Sequence, residues 1–197
     1  MATIGLDKLY YAKITEGSDG IETYATPQVL AMAMKADLSI ELSEASLFAD
    51  DSVAWMMKDF KSGKLTLGIE DLTPTVISDL TGTVVDDNGA IISATENIGP
   101  PVGIGFRALK PDGKYRYFYL YKVKFGAPAT NLQTKADGIT FQSPTIEGTI
   151  MRRNKPDGMN KHPWKCEITE GGSGVAQSTI TGWFSEVYEP VYSIEGA

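Results

Sequence analysis

The run Tyr115–Phe125, YRYFYLYKVKF, constrains the fold more than any other stretch of this chain. Its aromatic and β-branched residues suit a pleated strand, and no glycine or proline interrupts it. The odd positions Tyr115, Tyr117, Tyr119, Tyr121, Val123 and Phe125 predict one apolar ridge. The even positions mix Phe118 and Leu120 with Arg116, Lys122 and Lys124, which predicts partial cover on the second face too.

The same period of two recurs along the chain. Leu38, Ile40 and Leu42 alternate with Asp37, Ser39, Glu41 and Ser43, and Leu65, Leu67 and Ile69 alternate with Lys64, Thr66 and Glu70. Each reads as a half-buried strand with one polar face. Val102, Ile104, Phe106 and Ala108 alternate with Gly103, Gly105 and Arg107. Lys110-Pro-Asp-Gly113 then makes Val102–Phe125 a hairpin, and Asp87-Asn-Gly89 marks a second between Val84-Val85 and Ile91-Ile92. Across Pro144 the apolar phase moves from odd (Ile139, Phe141) to even (Ile146, Ile150), which predicts a bulge or bend at the proline.

Helical signals are few. Thr73, Pro74 and Gly82 bracket a short helix as N-cap, first-turn proline and terminating glycine. Ala176–Val187 predicts a second, with Ile180, Trp183, Phe184 and Val187 on one side. Asp50–Lys61 fits either a helix face or an extended arm.

At 197 residues the chain suits one domain, residues 1–197, and one cysteine excludes an internal disulfide. No basic leader with an apolar core and no run of eighteen apolar residues occurs, so the expectation is a chain made and kept soluble in a cytoplasm, or leaving by a route other than secretion, with no membrane partner. The net charge of −7 is polarised: residues 1–100 carry sixteen acids and six lysines, residues 101–197 nine acids and twelve bases. That balance argues against a nucleic-acid reader and favours contact between copies, acidic patch to basic patch.

The only histidine, His162, and the only cysteine, Cys166, lie four residues apart with Asp157 upstream. A catalytic thiol needs a base in reach and an oxyanion hole. Trp164–Ile168 reads instead as a strand, so a half-buried thiol and a loop histidine are expected. One histidine and one cysteine cannot make a zinc site, and Asp86–Gly89 lacks the ligand spacing of a calcium loop. Gly103-Ile-Gly105 opens a strand and is no phosphate cradle. Arg152, Arg153 and Lys155 read as solvated or salt-bridged. Trp55, Met56 and Met57 stand open between an interaction arm and ordinary core. No catalytic, cofactor-binding or metal-ligating residue emerges, and no cofactor is expected.

Several segments together resemble one family. They are MATIGLDKLYYAKI at the start, Ala36–Ser43, Leu47–Asp51, Phe60–Gly68, Val102–Arg107, Lys122–Gly126 with Pro128, and Thr145–Asn154. In this order, up to about Pro190, they look like the major tail protein, or tail tube protein, of long non-contractile-tailed bacteriophages and prophages of Gram-positive hosts. Residues 191–197 read as a variable tail.

The resemblance implies a mainly β, β-sandwich-like domain with one or two short flanking helices and no enzymatic activity. Six copies would form a ring whose inner sheets join into a β-barrel, and rings would stack into a tube in the virion tail, assembled in the host cytoplasm. Partners would be the chain itself, the tape-measure protein, tail terminator and distal tail proteins, and phage DNA in transit without sequence-specific binding. A lumen that passes DNA should be acidic or neutral, since a basic wall would hold phosphates. Asp37, Glu41, Glu70 and Glu147 are the candidate lumen-facing acids. Residues 48–62 are the candidate inter-ring arm with Trp55, Met56 and Met57 as anchors, and Arg152 and Arg153 are expected to meet an acidic surface on a neighbouring subunit. The alternative is a β-sandwich binding module that decorates the virion surface, and a carboxylate-based hydrolase is a distant third.

Overall fold

The computed structural model describes residues 3–49, 52–130 and 143–192. Among them run strands β1 (Gly5–Glu16), β2 (Glu22–Tyr24), β3 (Gln28–Ala31), β4 (Ala33–Ala49) and β5 (Ser52–Ile69), then helix α1 (Pro74–Thr81). They are followed by β6 (Val84–Val85), β7 (Ile91–Ile92), β8 (Val102–Leu109), β9 (Tyr115–Phe125), β10 (Thr145–Met151), β11 (Lys165–Thr169) and helix α2 (Gln177–Gly182). The chain is mainly β, and every strand pairing is antiparallel.

Nine strands form one sheet in the order β2-β1-β8-β9-β10-β5-β4, with β11 added to β9 and β3 to β1, while β6 and β7 make a separate ribbon. β3 and β4 are a single run broken at Met32. The first part pairs with β1 and the second with β5, so the sheet bends round until its two ends meet along that run. Leu9, Leu65, Leu67, Ile69, Ile104 and Ile150 fill the inside of the bend at 0% exposure. A second cluster covers the other face, where Tyr117, Tyr119 and Tyr121 pack under Ile180, Trp183 and Val187.

Local chemistry explains the connections. Gly113 (φ 78°) allows the tight turn between β8 and β9, closed by Gly113 N–H donating to Lys110 O at 3.0 Å. Thr73 Oγ1 accepts from Val76 N at 3.4 Å at the start of α1, and Gly82 (φ 73°) ends it in the left-handed conformation.

Three expectations need correction. The ridge of β9 is not one face. Val102 of β8 pairs with Val123 and Ile104 with Leu120, so β9 carries an extra residue between them. That bulge turns Tyr117, Tyr119 and Tyr121 toward α2 while Val123 and Phe125 join the first core. The second helix stops after six residues, and Trp183 and Val187 are buried beyond its end. Leu38 and Leu42 are exposed rather than half-buried: among the described residues β4 is the edge of the sheet, and Leu42 also lies past Gly63, where β10 no longer accompanies β5. Ile139 and Phe141 lie outside the described residues, as do 193–197 of the variable tail.

Gly105 sits under the buried ring of Tyr119, where a Cβ would come 2.8 Å from Cε2. Gly105→Ala should lower unfolding stability in urea by about 1–3 kcal/mol, the cost of overpacking a filled core. Gly126→Ala, whose Cβ would meet only Glu147 O at 4.0 Å, should be near neutral.

Candidate functional site

β4 and β5 form a hairpin that outgrows the body. They pair from Ala33↔Ile69 to Ala49↔Ser52, yet β10 reaches only to Gly63. Beyond the row Ile40–Gly63–Ile150 the nine residues Glu41–Ala49 continue as a two-stranded extension, about 30 Å at the rise of a strand. The ambiguity of Asp50–Lys61 is thus resolved for its described part: Ser52–Lys61 is strand. Among the described residues nothing pairs with the outer edge of β4.

Register places three of the four candidate acids on one face. Asp37, Thr66 and Glu147 form one row across β4, β5 and β10; Ser39, Lys64, Thr149 and Lys124 form the next; Glu41 and Ser62 follow. Each acid is exposed and has a lysine beside it: Lys35 at 2.5 Å from Asp37, Lys61 at 3.6 Å from Glu41, and Lys64 at 2.8 Å from Glu147. Such exposed pairs stabilise little, but they cancel charge. The face is polar and neutral, with Lys124 alongside. Glu70 is not part of it, because it follows β5 and its N–H donates to Met32 O at 3.1 Å.

The alternation of β4 continues from Glu41 through Ser43 and Ala45 to Leu47. Their partners are Ser62, Asp59, Met57 and Trp55, with Lys61 as the extra residue of a bulge. Trp55 and Met57 therefore share the face of the candidate acids, whereas Met56, opposite Ser46, points the other way. Trp55 is 76% exposed, Met57 67% and Met56 55%. None of the three is core.

Arg152 and Arg153 part company. Arg152 is exposed at the end of β10, but Arg153 is buried at 0% and spent within the chain. Its guanidinium lies 4.3 Å from the Tyr121 ring centre, and Nη1 is 2.9 Å from Glu189 Oε2, an ion pair off the hydrogen-bond line. The expected contact of Arg153 with a neighbouring subunit is corrected on that ground. Lys155 Nζ donates to the same carboxylate at 3.0 Å.

Sequence reasoning missed Glu22, the carboxylate on which this corner depends. It is buried at 0% exposure and accepts from Lys122 Nζ at 2.6 Å, Asn154 N at 2.6 Å and Lys155 N at 2.9 Å. Glu16 lies directly opposite it across β1 and β2, and Lys122 Nζ, 2.9 Å from Glu16 Oε1, bridges the two acids. The only hint in the sequence is Lys122, set between Tyr121 and Val123 in the aromatic-rich β9.

The thiol set does not assemble. Asp157 Oδ1 accepts from Met159 N and Lys161 N, and its Oδ2 accepts from Tyr192 OH, so this carboxylate closes a turn. His162 is exposed, and among the described residues no hydrogen bond joins it to Cys166 or Asp157. Cys166 sits in β11 opposite Tyr119, and burial pushes its thiol up to about 11, which keeps it protonated at neutral pH. Asp86 Oδ1 accepts from Asn88 N and Ala90 N, which makes Asp86–Gly89 a hairpin turn. Among the described residues no group of three or more His, Cys, Asp or Glu could hold a metal, and no helix is long and apolar enough to cross a membrane.

No protein-family model matches the chain, and no curated protein matches it.

Two outcomes follow from this geometry. Glu22→Ala leaves Lys122 half-paired and two part-buried N–H groups without their acceptor, so it should cost about 3 kcal/mol in urea unfolding, and Glu22→Gln less. A thiol moved from 9.0 to about 11 holds about a hundredfold less thiolate, so Cys166 should react with a disulfide reagent at pH 8 at least that much more slowly than in the urea-unfolded chain.

Proposed function

We propose that this chain is a structural protein of the tail tube type, whose copies form rings that stack into a tube enclosing the tape-measure protein and letting DNA pass. The observation that carries the reading is the β4–β5 hairpin, a two-stranded extension with an unpaired outer edge and exposed Trp55, Met56 and Met57. An isolated edge of this length invites another chain, and a folded monomer gains nothing from it. The ordered likeness of the sequence to phage tail tube proteins supports the same reading, and so does the neutral face of Asp37, Glu41 and Glu147, which would not hold phosphates.

In this reading the rings contain six copies, the joined sheets form an inner barrel, and the tube ends meet the tail terminator and distal tail proteins. The chain binds no cofactor and performs no catalysis. A decoration module on the virion surface is the second reading, favoured only by the exposed apolar residues.

Negative-stain electron microscopy of the concentrated protein should show filaments or stacked rings with an open centre. Discrete monomers that bind host cells or glycans would instead establish the decoration module. Replacing Ala45–Met57 with Asn-Gly joins the paired residues Glu44 and Lys58 by a two-residue turn. That variant should keep the wild-type urea midpoint and form no tubes. Tubes of normal length from the shortened chain would remove the hairpin from assembly.

A further inference from the structure

We propose that the cleft between the start of β1 and the start of β4 receives the distal end of the β4–β5 hairpin from a second copy of this chain. The inference rests on the reading of the chain as self-assembling, and it adds where one copy holds the next.

The cleft arises where the bent sheet fails to close. β1 pairs with β3 through Leu9, Tyr10 and Tyr11, but among the described residues nothing pairs with the outer edge of Gly5–Asp7. β4 pairs with β5 alone. The two strands splay apart and leave a space of about 350 Å³, with Leu6, Ala36 and Leu38 in its walls and Phe106, Ala108 and Phe118 in its floor. Phe106 and Phe118 stack at 5.0 Å, which gives the floor a flat aromatic surface. Among the described residues no charged side chain lines the cleft.

The chain carries a complement that its own cleft cannot use. Leu47, Trp55 and Met57 share one face at the distal end of the hairpin, at 62%, 76% and 67% exposure. From Leu38 to Leu47 is nine residues of extended strand, about 30 Å. The extended ladder therefore holds the apolar end away from the apolar cleft of the same molecule. A projection and a socket that cannot meet in one chain join copies head to tail, a contact that repeats instead of closing on a pair.

Electrostatics permit the fit. The sequence from Glu44 to Asp59 holds four acids and one lysine, so the hairpin end is acidic. Acids beside the cleft are matched by bases, Asp37 by Lys35 and Glu167 by Arg116, so its mouth does not repel an acidic arrival. Size sets the strength. A tryptophan buries about 150–250 Å², and the whole contact stays below the ~1,000 Å² of a free-standing interface. One contact is weak, and it holds only where an assembly repeats it.

Met57→Cys and Leu38→Cys in one chain test the contact. Cα atoms more than about 7 Å apart cannot be bridged, so a bond between these two must join different copies. Oxidation with copper phenanthroline should give a ladder of covalent multimers on a non-reducing gel, against a wild-type control that retains only Cys166. Mixing the two single-cysteine chains should add a heterodimer to any homodimers. If Leu38→Cys lowers the urea midpoint, Ala36→Cys in the same wall replaces it. Tubes by microscopy without a ladder would overturn this contact and leave the tube reading standing. A ladder without tubes keeps the contact and removes the tube, and neither ladder nor tubes overturns both.

Discussion

The buried carboxylate of Glu22 is the constraint on which the arrangement of the body depends. Apolar side chains hold strands together but tolerate small slips, whereas a buried charge must meet its donors in one geometry. Glu22 takes one bond from β9 through Lys122 and two from the backbone after β10. It thereby ties β2 to segments 100 to 133 residues away. Arg153, which directly precedes the two residues whose amides Glu22 binds, lies over the Tyr121 ring and passes the constraint on to Glu189. Glu189 in turn anchors the chain that follows α2, where Tyr188 stacks on Trp183 and its carbonyl accepts from Tyr121 OH at 2.9 Å.

This network explains why a chain with so polarised a charge has a stable corner of mixed sign. The first hundred residues supply Glu16 and Glu22, the second hundred Lys122, Arg153 and Lys155. The acidic and basic halves meet here inside one molecule. Part of the polarity that suggested contact between copies is therefore consumed within the fold, and what remains for a neighbour is mainly the hairpin and the exposed Arg152.

What could be read from the sequence follows from range. The alternation of Leu65, Leu67 and Ile69, the Pro-Asp-Gly turn and the Thr-Pro…Gly helix are local signals, and each corresponds to an observed element. The bulge in β9 was not legible, because it is set by how β8 and β9 register against α2 and the first core. Glu22 was not legible because its partners lie far along the chain, and Arg153 looked like a surface base because its neighbours in sequence are polar. Leu38 and Leu42 have the pattern of a core strand, but their burial depends on what lies at the open edge of β4 and, for Leu42, on how far β10 follows β5. The candidate acids Asp37, Glu41 and Glu147 were legible as a polar face, whereas their neutralisation by Lys35, Lys61 and Lys64 depends on the observed register.

The hairpin then has a physical peculiarity. A two-stranded ribbon is marginal in water by itself, and among the described residues no third strand accompanies this one beyond Gly63. Its only tie to the body past that point, among the described aromatic contacts, is Phe60 stacked on Trp164 at 4.7 Å. A ribbon that exposes Leu47, Trp55 and Met57 gains stability wherever another surface covers it, and the gain comes from burying side chains that are already aligned on one face. Order in the hairpin and contact with another chain are for that reason coupled. The body, closed by Glu22, needs neither, so the molecule divides into a part that is complete alone and a part that is completed by a partner.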